Sequence, residues 1–502
     1  MKTRPINLPT VVAGLPDDAK DTLVQLVREW QQRRFRNQLR RKYYEGKNGL
    51  KDLGISIPPQ LKTFEVVVGW PAKAVNAMVR RTKLLGFTNT EGSAELQAQV
   101  DEIIESNNLL SQYGSAHTSA LQHGCVFAFV HLGRPELGEP EVMVTFRDAE
   151  WATAEWNART QSCSAALSVL DIDETTFGLG RPTSLALYVP GIVYIIDYVP
   201  NLGIYQVSDV QTHGAGVPVE VLPYQPLLGR PFGRSRITRA VMYLTDAAAR
   251  TALRTEVGAE FYNAPQRYAL GAEEDAFEDK NGKPIPSWTV TLGRLLTLSR
   301  DEDGNIPTVG QFAQQSMEPN LAQQRQNASS FAAETDLPVS SLGIVQDNPS
   351  SAEAIKAAND DLGLEIENWE SAVLGPAHQR IMRRAVLMAS DSPAALVAAR
   401  TLRADWGSWA TPTEVSQAQA SQARVTAIPA LAQTTVELRK MGYKPDEIKE
   451  MQSDWRRAQG GGLLASLAAG RLPTEADGET APTPPAVPTP PPASEPAPAG
   501  AG

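Results

Sequence analysis

The sequence predicts an α+β protein in which a strand-rich middle lies between helical segments. Three observations predict this. Near the start, Leu23, Leu26, Val27 and Trp30 follow the 3.6-residue helical period. Between Cys125 and Tyr224 the pattern changes to short β-rich runs punctuated by Gly and Pro. After Gly233 helical spacing returns, interrupted by one further strand-rich insert. With 502 residues, 42% hydrophobic and 21% charged, the chain has ordinary globular composition and room for more than one structural unit.

The first helix is expected to begin near Asp17 and Asp18, whose charges suit a helix N-terminus. A second is expected from Pro71 through Val75, Met78 and Val79, because proline is favoured in a first turn. A third follows Ser93, with Leu96, Val100, Ile103 and Ile104 on one side. The expected strands are 125–132, 141–146, 165–170, 184–189, 192–199 and 219–224.

A long helix is expected over 235–262, with a narrow stripe of Ile237, Val241, Leu244, Ala248 and Thr251. So lean a stripe suits packing between helices better than filling a large core. The insert over 263–312 carries Asn281-Gly282, a hairpin signal, and β-rich runs at 287–292 and 294–299. A Gln/Asn/Ala/Ser-rich helix is expected over 320–335, then a loop at 337–350 with Pro338, Gly343 and Pro349. The following helix runs from Glu353 through Leu362, Ile366 and Trp369, pauses at Gly375-Pro376 and resumes to about Ala389. Residues 413–459 are expected to be helical, with breaks at Pro429 and Gly442–Pro445. From Pro473 to Gly502 ten of thirty residues are proline, and this segment is expected to be a disordered tail.

With 47 basic and 57 acidic side chains the formal charge is −10, which argues against a polybasic wrapper of nucleic acid. Residues 28–51 nevertheless hold nine Lys/Arg, interleaved with Phe35, Tyr43 and Tyr44. Either a nucleic-acid patch or a solvated helix face fits that run, and the face is the simpler reading. Two cysteines, Cys125 and Cys163, cannot staple a chain of this length, so a reducing compartment is expected. No secretory signal and no membrane span are expected.

Chemistry is sparse. Gly46-Lys47 and Gly282-Lys283 lack the Ser/Thr and the upstream glycine of a phosphate-binding loop, which argues against a self-contained ATPase. Gly178-Leu179-Gly180 and Gly214-Ala215-Gly216 lack the third glycine of a dinucleotide turn. His117, His123, Cys125 and His131 lack zinc-site spacing and read as ordinary core and surface side chains. The acidic run Asp301–Asn305 fails the calcium-loop pattern, since Ile306 and Phe312 occupy its glycine and glutamate places. Asp171, Asp173 and Glu174 have no partner that would make a nuclease site. No cofactor is expected.

Several short segments, taken in order, resemble the portal proteins of tailed bacteriophages, the head-to-tail connectors of the siphophage type. They are Tyr43-Tyr44-Glu45-Gly46-Lys47, Val67-Val68-Gly69-Trp70-Pro71 and Gly233-Arg234-Ser235-Arg236-Ile237-Thr238. Two more are Leu337-Pro338-Val339-Ser340-Ser341-Leu342-Gly343 and Asn348-Pro349-Ser350-Ser351-Ala352-Glu353-Ala354-Ile355. The resemblance implies an α+β portal fold assembled as a homo-oligomeric ring of about a dozen subunits. It implies an N-terminal arm (1–19), a wing (20–233), stem helices (234–262 and 318–336) and a β-rich clip (263–317). A channel loop (337–352), a tunnel helix with its wing connection (353–390) and a helical crown (391–472) complete it. Gly343, Ile344, Val345, Gln346, Asp347, Asn348, Pro349 and Ser350 would face the channel. The implied function is non-enzymatic: double-stranded DNA passes through the ring during packaging and ejection. The implied partners are the terminase motor, major capsid protein and head-tail adaptor. The implied location is the virion portal vertex, with host cytoplasm during assembly. The alternative is a DNA-processing motor or nuclease subunit of the same machine, which the missing phosphate loop disfavours.

Overall fold

A computed structural model describes residues 8–49, 66–90, 93–173, 181–263, 267–271, 283, 304, 306–313, 316–344, 352–390, 397–410, 414–443 and 445–468. The Asn281-Gly282 hairpin, the runs at 287–292 and 294–299, most of the acidic run at 301–305, Glu174 and the proline-rich tail lie outside the described residues. The chain divides into two compact units, Met1–Ala410 and Thr411–Gly502.

The first unit opens with β1 (Val12–Ala13) and α1 (Asp17–Tyr44), then α2 (Trp70–Val79), β2 (Leu84–Asn89), α3 (Ala94–Ser106) and α4 (Leu109–His123). Eight strands follow: β3 (Cys125–Leu132), β4 (Val142–Asp148), β5 (Ala152–Asn157), β6 (Ser162–Asp173), β7 (Arg181–Val189), β8 (Ile192–Val199), β9 (Ile204–Thr212) and β10 (Val219–Pro223). Six strands form one sheet in the order β1-β9-β8-β7-β6-β5, and β10-β3-β4 form a second. Only β1 pairs parallel, with β9; the other neighbours in both sheets run antiparallel.

The two sheets are stacked, and the alternation of side chains across a strand explains how. In β7, Leu185 and Leu187 face α1, where they meet Leu23, Leu26, Val27 and Trp30. Ala186 and Tyr188 face the second sheet, where they meet Phe127, Phe129, Val219 and Val221. In β3, Val126, Ala128 and Val130 point the other way, onto α2, α3, α4 and the long helix described below. A strand buried on both faces has to be apolar at every position, which is why Cys125–Val130 is an unbroken apolar run.

The remainder of this unit comprises α5 (Arg239–Asn263), β11 (Arg267–Leu270), β12 (Thr308–Gln311), α6 (Glu318–Glu334), α7 (Ala352–Asn368) and α8 (Gly375–Ser390). A π-helical segment, Trp369–Leu374, joins α7 to α8, so the expected pause at Gly375-Pro376 follows a wider, underwound passage rather than a break. β13 (Leu402–Trp406) pairs antiparallel with β2 across more than 300 residues of sequence. This corrects the expectation of a purely helical segment from 391 onward.

α5 and α6 pair antiparallel. Thr238 Oγ1 donates to Glu334 Oε1 at 3.1 Å, and Asn327 Nδ2 donates to Thr251 Oγ1 at 3.2 Å. The buried stripe of α5 includes Val241, Thr245, Ala248 and Thr251. Thr245 and Thr251 donate their hydroxyls to the carbonyls one turn back, which lets a Thr-rich stripe be buried without stranding a donor. α5 begins at Arg239 rather than Ser235. Thr238 Oγ1 accepts from Val241 N at 3.1 Å and so caps it, while the preceding residues are held by the wing sheets and helices.

The second unit is helical: α9 (Glu414–Ala427), a 3₁₀ turn (Pro429–Gln433), α10 (Thr435–Lys440) and α11 (Pro445–Ala468). The breaks fall where Pro429 and Gly442–Pro445 are expected to put them. Glu437 is buried and accepts three bonds of 2.8–3.0 Å from Arg424, fastening α10 to α9.

Candidate functional site

The resembling segments, far apart in sequence, converge on one place: the root from which α5 and α6 leave the wing. Tyr43 Oη donates to Asp246 Oδ2 at 2.9 Å, pinning the end of α1 to α5. Tyr44 Oη donates to Asn76 Oδ1 of α2 at 2.9 Å. Trp70 packs against Phe331 of α6 with the rings tilted at 54° and their centroids 5.2 Å apart. Lys73 Nζ donates to Ser341 O at 2.6 Å, holding the short 3₁₀ turn Val339–Leu342 that precedes Gly343.

At the centre lies Arg236, only 5% exposed. Its Nε donates to Ala74 O of α2 at 3.1 Å, and one Nη donates to Thr335 O, just past α6, at 2.6 Å. The other Nη donates to Tyr224 Oη at 2.8 Å and to Glu365 Oε2 of α7 at 2.5 Å. Tyr224 Oη also donates to Glu365, and Gln225 Nε2 reaches the same carboxylate at 2.9 Å. Burial, with the carboxylate beside it, pushes the Tyr224 phenol well above its usual range, so it acts as a donor and is not ionised. One guanidinium thus ties together α2, the end of β10, the end of α6 and α7.

That hub sits between the two anchors of the predicted channel loop. Gly343, at φ +87, closes the 3₁₀ turn, and Ile344 is half-buried. Val345, Gln346, Asp347, Asn348, Pro349 and Ser350 lie outside the described residues. α7 then begins at Ala352, and Arg81, just past α2, donates to its Asn359 Oδ1 at 3.2 Å. The 3₁₀ turn before the loop and the early turns of α7 after it are therefore each bonded to α2 or to the residues just past it.

The other candidates resolve into packing. In the basic run of α1, Arg41 pairs with buried Glu150 at 3.3 Å, Arg40 donates to His123 O at 2.5 Å, and Arg34 lies over the Trp30 ring. Phe35 is exposed, while Tyr43 is buried. Arg40 and Arg41 fasten the end of α1 to α4 and to Glu150, while Arg28, Arg33, Arg36, Lys42 and Lys47 are exposed, as on a solvated helix face. His117 and His378 face each other with Nε2 atoms 3.3 Å apart, enclosed by Tyr113, Trp369 and Trp406. Burial depresses both, His378 to about 4, so the pair is neutral near pH 7. His123 lies 3.8 Å from Glu150, and His131 Nδ1 bonds Leu132 O. Burial pushes the Cys125 thiol up to about 12, which removes it as a nucleophile. Asp171 accepts from Thr183. Among the described residues, no three His, Cys, Asp or Glu side chains form a metal-holding group.

Glu370, in the π-helical segment, is the buried carboxyl whose titration should be measurable. It is 5% exposed, its Oε1 has no hydrogen-bond partner, and burial raises its pKa from 4.5 to about 8, against an opposing backbone N–H of Lys83. Below pH 4.5 the carboxyl is neutral in both folded and unfolded chains. Between pH 4.5 and about 8 the unfolded chain ionises first, so stability is lost as pH rises. Glu370→Gln is expected to be more stable than the parent at pH 8 by on the order of 2 kcal/mol and equal to it near pH 4. Thermal unfolding at the two pH values checks this; an equal gap at both would show that Glu370 does not titrate across this range.

Sequence comparison decides the family. The model of the family described as phage portal protein, SPP1 Gp6-like, matches residues 24–397. The chain belongs to the phage portal protein family. The portal protein of Mycobacterium phage D29 is 28% identical over 439 residues, covering 85% of this chain and 86% of that protein. The portal protein of Mycobacterium phage L5 is 27% identical over 441 residues, with the same coverage. Among solved structures, a chain from the neck of an empty GTA particle computed with C6 symmetry overlaps at a TM-score of 0.40. It is 13% identical, over 75% of this chain and 91% of that one. Family membership rests on the sequence matches and not on this loose overlap.

Sequence reasoning placed Arg236 in a resembling segment but gave it no role, and it missed Glu365. They stand 129 positions apart, and an arginine two positions from Arg234 reads as one more surface charge.

Proposed function

We propose that this portal-family chain forms a ring of about a dozen copies at one capsid vertex, through which double-stranded DNA enters and leaves the head. The observation that carries the reading is the family match across residues 24–397. In this reading residues 20–233 are the wing, α5 and α6 the stem, and residues 263–317 the clip. Residues 337–352 are the channel loop, α7 with α8 the tunnel helix and its wing connection. Residues 391–472, with β13 near their start, are the crown. The terminase motor, major capsid protein and head-tail adaptor are the partners the family implies, and the virion portal vertex its location.

The physical features are consistent with this role. On α6, Ala322, Gln326, Ser329 and Ala333 are exposed and uncharged. A conduit should hold DNA loosely, because every neutralised phosphate adds affinity and slows passage. No helix among the described residues is long and apolar enough to cross a membrane. The family's role as a connector, together with the missing phosphate loop, favours a non-enzymatic channel over a motor or nuclease subunit.

The channel-loop proposal has its own test. A ring repeats each residue once per subunit, so Asp347→Lys would turn a circle of negative charge into a positive one. The variant is expected to assemble like the parent but to package DNA at least about tenfold less well, with a defect that eases at higher salt. Packaging assays on purified proheads, paired with native mass, check it. Normal packaging would place the loop away from the DNA, and failed assembly would make it structural.

A further inference from the structure

A cluster of arginines lies on a face that the channel reading does not use. Residues 375–410 contain five arginines, no lysine and two aspartates, in a chain whose net charge is −10. Arg380, Arg383 and Arg384 stand at positions i, i+3 and i+4 of α8, on the side opposite the buried Ile381, Met382, Ala385 and Val386. α8 packs against β13 and against the 3₁₀ turn just before it, which carry Arg403 and Arg400. Both of these are exposed, and Arg403 Nη1 donates to the carbonyls of Arg400 and Leu402, which fixes its direction.

Glu220 of β10 is the carboxylate paired with the cluster. It accepts from Arg380 Nε at 2.8 Å and from Arg384 at 3.3 Å. Arg384 also donates to Val217 O, so it and Arg380 have a structural task. Arg383, Arg400 and Arg403 are not shown bonding Glu220. The basicity of Arg383 is depressed by burial and then by four neighbouring guanidiniums, Arg400, Arg380, Arg403 and Arg384. Mutual repulsion of this kind is relieved when an anion is brought in.

We propose that Arg383, Arg400 and Arg403 form a docking surface for the phosphate backbone of double-stranded DNA, separate from the channel loop. Arg380 on this surface and the start of α7 at Ala352 are about 40 Å apart along the helical path. Two features favour phosphates over an acidic protein. Guanidinium forks match phosphate oxygens in pairs, and all five cations here are arginines. Protein interfaces are anchored by buried apolar side chains, and Val397 at the margin is the one large apolar side chain exposed among the described residues of 375–410. The surface goes beyond the channel reading and does not require it, because a monomer would display it too.

Fluorescence anisotropy of the full chain with a labelled duplex of about 30 base pairs, titrated at several salt concentrations, tests the proposal. The triple variant Arg383→Gln/Arg400→Gln/Arg403→Gln keeps both Glu220 pairs. It is expected to bind at least about tenfold more weakly, with the slope of log K against log salt reduced by about 2 to 3. The corresponding triple lysine variant should retain most of that slope. Should the glutamine variant fold poorly, phenylglyoxal labelling of the parent gives the answer, because duplex DNA should protect these three arginines. Unchanged affinity and slope, or no protection, would overturn the proposal. Preferential binding of polyglutamate would overturn it in favour of an acidic protein partner. Native mass recorded in parallel keeps a failure of this surface distinct from a failure of ring assembly.

Discussion

Replacing Arg236 by alanine is expected to destabilise the first unit by about 3–5 kcal/mol, because it strands Glu365 without its cation. Glu365 is only 15% exposed at its side chain, and Arg236 4%. The loss is not confined to one pair. The same guanidinium satisfies the carbonyls of Ala74 and Thr335 and the Tyr224 hydroxyl, so several buried acceptors lose a donor together. Urea unfolding at constant pH measures the effect. The double variant Arg236→Met/Glu365→Leu should recover much of the loss, since replacing both charges removes the unpaired one. A single variant within about 1 kcal/mol of the parent would show that the hub contributes little.

Gly233→Ala is expected to be equally severe, for a reason of backbone geometry. Gly233 has φ +67, and an added Cβ would stand 2.2 Å from Tyr224 O and 2.8 Å from Gly124 O. Those atoms are main chain and cannot swing away as a side-chain tip could. Gly233 N–H donates to Arg230 O, and the next residue, Arg234, donates its N–H to Tyr224 O at 2.8 Å, so the strained segment is also held by hydrogen bonds. A left-handed conformation for a residue with a Cβ and a direct clash with two carbonyls together should cost on the order of 4 kcal/mol or more. Soluble yield and thermal midpoint check this. A variant that melts within a degree or two of the parent would mean that the turn relaxes freely.

These two positions explain why the sequence is easy to read in some places and opaque in others. Strands buried on both faces, β3 and β8, carry the apolar runs Cys125–Val130 and Ile192–Ile196 and are expected where they occur. Helices with a long apolar stripe, α1 and α3, are equally plain. α4 is not, since its fifteen residues mix Ser, Gln, His and Gly114 among the apolar positions and show no clean stripe. Its burial comes from packing on both sides, which no local pattern records. β13 escapes for another reason: its five residues, Leu402-Arg403-Ala404-Asp405-Trp406, do alternate apolar and charged, but so short a run is held as a strand only by β2, far away in sequence. The candidate site divides in the same way. The resembling segments mark the root of α5 and α6, but the contacts that bind them, Arg236 to Glu365 and Tyr43 to Asp246, are long-range pairs of common residue types. The basic run at 28–51 shows the converse, because a conspicuous pattern proves to be mostly an exposed helix face with Arg40 and Arg41 as fasteners at its end.

The central claim is that copies of this chain close into a ring around a channel. Electron microscopy of the purified full-length protein, with end-on views averaged without imposed symmetry, tests it most directly. The account predicts rings of about a dozen subunits with a central hole wide enough for a double helix, whose width is about 20 Å. Uniform particles of about 54 kDa with no hole, across all salt concentrations and also when extracted from virions, would contradict it.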